Sequence, residues 1–180
     1  NTGDSELDDT SEAGLRGLTL LMTDRTSASL GEPIALDLAQ DDLTFYPIIY
    51  WPVPDTVEPL PDAVRSKLAA YMKNGGMLFF DTRDGGLDAS LNGGGNASLQ
   101  TLLAKLDLPP LEPVPEKHVL TRSFYLLDRF PGRYEGPAPW VEAQGATENT
   151  AATAADGVSS IIIGANDYAA AWALNENGEA

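Results

Sequence analysis

Between residues 62 and 84 the chain switches from a helical to a strand-like spacing of apolar positions. Val64, Leu68, Tyr71 and Met72 recur at i, i+4, i+7 and i+8, on one face of a helix, while Arg65, Lys67 and Lys73 lie elsewhere. Pro61 and Asp62 suit its first turn: proline has no N–H to orphan there, and a carboxylate favours the positive end of the helix dipole. Asn74-Gly75-Gly76 can close the helix in the left-handed conformation. Met77-Leu78-Phe79-Phe80 then runs apolar without alternation, as a strand covered on both faces does. From its carboxyl end leaves the charged loop Asp81-Thr82-Arg83-Asp84-Gly85-Gly86, and in open α/β sheets that end is where ligands bind.

The same reading extends along the chain. Asp4 or Ser5 caps a first helix with Leu15, Leu18 and Met22 as a partial stripe, ending near Thr23. Ile34 to Leu38 is a short extended piece. Pro47 cannot donate within a ladder, so a short strand is expected over Leu43 to Tyr46 and a bend over Ile48 to Trp51. Leu99, Leu102, Leu103 and Leu106 fit a short helix stopped by Pro109-Pro110, after a glycine-rich loop at Asn92 to Asn96. Leu111 to Lys117 is extended, Phe124 to Leu127 an apolar turn, and Trp140-Val141-Glu142 a strand end. Residues 144–157 are small, polar and without a periodic apolar face, and read as a disordered excursion. Val158 to Ile163 is a second buried strand, leaving through Gly164-Ala165-Asn166-Asp167, and Ala169 to Leu174 an apolar edge.

Composition narrows the function classes. A length of 180 residues with 43% hydrophobic residues predicts one folded domain. Acidic residues outnumber basic ones 27 to 11 and the formal charge is −16, which repels nucleic-acid backbones and anionic membranes. The absence of cysteine removes disulfides, thiolate metal sites and a cysteine nucleophile. No run approaches the ~20 apolar residues of a membrane span. The abrupt start at Asn1 reads as a piece cut from a longer protein.

Three polar corners follow strands: Gly3-Asp4, Asp81 to Asp84, and Asn166-Asp167. If those strands are parallel neighbours, Asp4, Asp81, Arg83, Asp84, Asn166 and Asp167 converge on one cleft, with Trp51 beside it. Asp81 and Asp84 could serve as general acid and base, or hold Mg²⁺ or Ca²⁺ through oxygens. The simpler reading is that such aspartates cap helices and accept backbone N–H groups, with Arg83 paired to one of them. His118 is the single histidine, so a multi-histidine metal site is impossible and any catalytic triad must run through it. No G-x-S-x-G elbow accompanies it, and its apolar neighbours favour a structural, hydrogen-bonded role. No cofactor is expected beyond that divalent cation.

The order Thr2-Gly3-Asp4, Phe45-Tyr46-Pro47, Tyr50-Trp51-Pro52, Tyr71-Met72-x-Asn74-Gly75-Gly76, Phe80-Asp81-Thr82-Arg83-Asp84, His118-Val119-Leu120-Thr121, Phe124-Tyr125-Leu126-Leu127 and Gly164-Ala165-Asn166-Asp167-Tyr168 resembles a bacterial domain family of unknown function. That family is similar in fold to class I glutamine amidotransferases. The resemblance implies a three-layer, flavodoxin-like α/β sandwich with a mainly parallel sheet. It also implies a C-terminal position in membrane-anchored proteins that begin with a Bat-type aerotolerance-regulator segment. The anchor would then lie outside this sequence, and the lack of cysteine mildly favours an extracytoplasmic side. Amidase activity does not carry over, because no thiol stands where the amidotransferase nucleophile would. The expectation is therefore a non-catalytic module binding a protein partner or small ligand, and the alternative is a hydrolase using Asp81 or Asp84.

Overall fold

A computed structural model describes residues 1–86, 96–123, 126–143 and 159–174. The expected glycine-rich loop, apart from Asn96, and the 144–157 excursion lie outside the described residues, as do Phe124 and Tyr125. Five strands form one sheet: β1 (Ile48–Pro52), β2 (Met77–Asp81), β3 (Leu111–Pro113), β4 (Trp140–Glu142) and β5 (Ile161–Gly164), side by side in the order β1-β2-β5-β4-β3. β2 pairs in parallel with β1 and β5, whereas β4 is antiparallel to both β5 and β3. The sheet is thus mixed, where the sequence predicts a mainly parallel one. Its parallel half contains the two continuous apolar runs, while β3 and β4 are three residues each and too short to carry a direction in their pattern.

Helices cover both faces. Leu78 and Phe80 point into a core shared with Val64, Leu68, Tyr71 and Met72 of α2 (Asp62–Lys73) and with Leu99 and Leu102 of α3 (Ala97–Leu103). Trp51 belongs to this side, stacked on Phe80 with ring centroids 5.2 Å apart. On the opposite face Tyr50 and Phe79 meet Tyr168 and Trp172 of α5 (Tyr168–Trp172), and centroid separations of 5.3–6.5 Å join the four rings. Helix α1 (Ser5–Arg25) lies over α5.

The α2–Gly75–β2 unit matches its sequence signature, with Gly75 rather than Asn74 taking the positive φ of +92°. Other stretches differ from expectation. Leu43–Phe45 is a 3₁₀ turn, not a strand, because the Asp42 carboxylate accepts the Thr44 N–H and hydroxyl. The strand is Ile48–Pro52. As an edge strand it tolerates Pro47 before it and Pro52 at its end, and the Pro47 carbonyl still accepts the Met77 N–H at 3.0 Å. Ile34 to Leu38 forms no strand, and Ala169 to Leu174 supplies most of α5 rather than an apolar edge. The buried face of α1 is Leu7, Ser11, Gly14 and Gly17, not Leu15, Leu18 and Met22. A Cβ on Gly14 would overlap the Ala169 carbonyl, and one on Gly17 the Trp172 carbonyl. Small size rather than hydrophobicity therefore selects the packed side.

Candidate functional site

The carboxyl ends of β1, β2 and β5 are knitted by backbone bonds from Val53 N to Asp81 O, Thr82 N to Gly164 O and Gly85 N to Ala165 O. Inside this weave the Asp81 side chain is 0% exposed. Oδ2 accepts from the Tyr50 hydroxyl and the Tyr168 N–H, both at 2.7 Å, and Oδ1 accepts from the N–H groups of Arg83 at 3.1 Å and Asp167 at 3.2 Å. The Tyr50 oxygen in turn accepts the Ala169 N–H at 3.3 Å. Two of these donors belong to left-handed residues, Arg83 at φ 58° and Asp167 at φ 53°. That conformation costs a non-glycine residue roughly 1–2 kcal/mol. Such strain concentrates at functional sites and persists where surrounding bonds fix it, as the shared acceptor Asp81 Oδ1 does here.

Burial pushes the Asp81 carboxyl above its ordinary value, against the pull of its hydrogen bonds. The Tyr50 and Tyr168 hydroxyls are raised by burial first and by the Asp81 charge second, so both stay protonated and Tyr50 remains a donor. Asn166 is also 0% exposed. Its Nδ2 donates to the Phe130 carbonyl at 2.6 Å and its Oδ1 has no partner among the described residues. Gly132 and Gly136 pack so tightly on Asn166 that neither has room for a Cβ. Arg133 reaches Asp167 at 3.5 Å and sits 5.7 Å above the half-exposed Tyr134 ring, which packs on Gly85. Asp84 Oδ1 accepts from the Thr82 hydroxyl and Gly86 N–H, both at 2.9 Å. Arg83 ion-pairs with neither Asp81 nor Asp84; its Nη2 donates to the Val53 carbonyl at 3.3 Å.

Asp81, Arg83, Asp84, Asn166 and Asp167 thus share one corner, together with Tyr50, Arg133, Tyr134 and Tyr168. Trp51 lies on the other face of the sheet. Asp4 is the N-cap of α1, its side chain accepting the Leu7 N–H at 3.2 Å. It stands ten residues before Gly14, roughly 15 Å of helix rise from the α5 contact. No residue pattern singles out Arg133 or Tyr134, which reach the corner because residues 130–136 return to bond the backbone of Asn166 and Asp167, whereas Tyr168 follows Asp167 in a motif already noted. Among the described residues no group of three or more His, Asp or Glu side chains is placed to share a metal ion.

His118 belongs to the opposite end of β5. It is 1% exposed and caps α4 (Val119–Arg122), Nδ1 accepting the Leu120 N–H at 3.2 Å, while Nε2 faces the Ser159 hydroxyl at 3.3 Å. Nδ1 must be unprotonated to accept, so Nε2 carries the hydrogen and cannot deprotonate Ser159. Burial lowers the His118 pKa, with Glu112 opposing. A depressed folded pKa contributes stability that is present above the unfolded value of about 6.5 and lost as pH falls through the folded one. Wild type should therefore lose stability relative to His118→Asn, which keeps a capping oxygen, between about pH 7 and pH 5. A difference in urea midpoint that stays constant over that range would refute this. Nearby, Glu142 Oε2 accepts the Ser160 hydroxyl at 3.0 Å.

No protein of curated function matches the chain significantly. The sequence profile of a domain of unknown function, DUF4159, matches it over residues 1–180, and the chain accordingly belongs to that family.

Proposed function

We propose that the chain is a non-catalytic binding module whose site is the Asp81 corner, in a domain of class I glutamine amidotransferase-like fold. The observation that carries this reading is the full use of Asp81. A carboxylate already accepting four donors while buried has neither a free lone pair aimed at solvent nor room to take a substrate proton. The parallel half of the sheet and the polar corner at its carboxyl end support the amidotransferase-like reading, and the lack of cysteine supports a role without thiol chemistry. The occupant is a small ligand or a protein partner, and the charge of −16 argues against nucleic acid. No helix among the described residues is long and apolar enough to cross a membrane. Placement in a membrane-anchored, Bat-type protein rests on the sequence resemblance, and so does the extracytoplasmic side.

The test replaces the outward groups and spares the buried brace. The triple variant Arg83→Gln, Asp84→Asn, Arg133→Gln should fold with a melting temperature close to wild type, yet fail to complement a strain lacking the full-length protein. Complete complementation would remove the corner from the function. Turnover of an ester, amide or glycoside, with Mg²⁺, Ca²⁺ or Mn²⁺ added, that disappears in Asp84→Asn would replace the binding reading with the hydrolase one.

A further inference from the structure

Among the described residues no carboxylate answers the charge of Arg83. Of the arginines described, Arg16, Arg65, Arg129 and Arg133 each meet a carboxylate among the described residues, whereas Arg25, Arg83 and Arg122 meet none. Arg25 and Arg122 are exposed to water, whereas Arg83 is half-buried and its Nε fully so. Yet among the described residues no carboxylate lies within ion-pair distance of the Arg83 guanidinium, although Asp81 and Asp84 are its near neighbours in sequence. Asp81 takes the Arg83 backbone N–H instead, and Asp84 turns to Thr82 and Gly86. Among the described residues the half-buried guanidinium makes one bond, from Nη2 to the neutral Val53 carbonyl, while Nε is buried without a partner and Nη1 donates to nothing. A guanidinium presents five donors in a planar fork matched to carboxylate and phosphate oxygens.

The backbone adds a second, independent observation. Arg83 holds φ 58° two residues before Gly85 and Gly86, which adopt φ +64° and +78° without penalty. Glycine at 83 would relax the turn. Arginine there stores strain and places a long cationic side chain at the carboxyl edge of β2.

We infer that Arg83 recognises an oxyanion, the carboxylate or phosphate group of a small ligand seated at this corner. The inference rests on the proposed binding role of the corner and names the chemistry of its occupant. The nearby Asp84 and Asp167 carboxylates, with the overall charge, disfavour polyanions.

The experiment follows the arginine Nε–Hε resonances of the ¹⁵N-labelled chain during titration with sodium acetate and, separately, sodium phosphate, with sodium chloride as the ionic-strength control. The Arg83 signal, identified by its loss in Arg83→Gly, should shift saturably with one of the two anions, and which one distinguishes carboxylate from phosphate. The other arginines should follow chloride. Arg83→Gly should lose the response and melt at the same or a higher temperature, whereas an arginine held for structure would lower it when removed. A chloride-like response of Arg83 to both anions overturns the oxyanion assignment, and a lowered melting temperature in Arg83→Gly overturns the strain argument behind it. Failure of the titration together with loss of complementation in the triple variant leaves the corner a binding site for a different chemistry. Intact complementation removes the binding reading itself.

Discussion

Replacing Asp81 with alanine is expected to remove roughly 3–5 kcal/mol of stability, read as a lowered urea midpoint at unchanged slope. The change strands the Tyr50 hydroxyl and the N–H groups of Arg83, Asp167 and Tyr168 in a place water reaches poorly. Each buried donor left unpaired costs about 1–3 kcal/mol, less where the chain relaxes to admit solvent. Against a typical total of about 5–15 kcal/mol, a large share of the fold's margin is at stake. Asp81→Asn preserves the shape but faces an amide N–H₂ towards donors, so it should recover only part of the loss. Tyr50→Phe removes one donor from Oδ2 and leaves the Ala169 N–H without its acceptor, a smaller loss of about 1–2 kcal/mol. A loss below about 1 kcal/mol in Asp81→Ala would show that the donors find other partners and that the carboxylate does not hold the corner together.

The second large effect is expected from the smallest substitution. Gly14→Ala and Gly17→Ala should each destabilise by about 2–4 kcal/mol, although alanine is favoured over glycine within a helix by about 1 kcal/mol. The added methyl would occupy the space of the Ala169 or Trp172 carbonyl, so α1 must lift away from α5. Lifting α1 also loosens the helix that carries Tyr168 and Trp172 against Phe79. The sign is diagnostic: thermal unfolding together with a red shift in tryptophan emission would confirm close helix contact, and a rise in stability would mean that helix propensity governs and the two helices stand further apart.

How much of this was legible in the residues depends on how local the cause is. Helix α2, its glycine stop and strand β2 follow from spacing and caps within some twenty positions, and the structure reproduces the four buried residues of α2 and buries Leu78 and Phe80 of the β2 run, with Met77 and Phe79 only partly covered. The Asp4 cap is equally local. Leu43 to Tyr46 misled because aromatic and β-branched residues suit strands, while the Asp42 carboxylate that makes the turn is a single side-chain bond. The α1 face misled for the opposite reason, since it is chosen by the close approach of a helix more than 140 residues later. Within the corner, Asp81, Arg83 and Asp167 were visible as charges after strands. So was the use of such aspartates as acceptors of backbone N–H groups, which Asp81 shows three times over; the Arg83 ion pair expected with it does not form, and the fourth donor belongs to Tyr50, which pattern alone reads as core.

The brace on Asp81 also sets an order of assembly. Its bonds to Asp167 and Tyr168 span 86 and 87 residues of chain, and the bond from Ala169 to Tyr50 spans 119. Strands β1 and β2, with α2 between them, can pair as soon as they leave the ribosome, because their partners are close in sequence. Closure of the corner must await the segment near residue 169, with the loop-closure entropy that such separations carry. A nascent chain thus holds Asp81 unpaired and open to solvent until α5 arrives, and that helix converts the edge into a finished site.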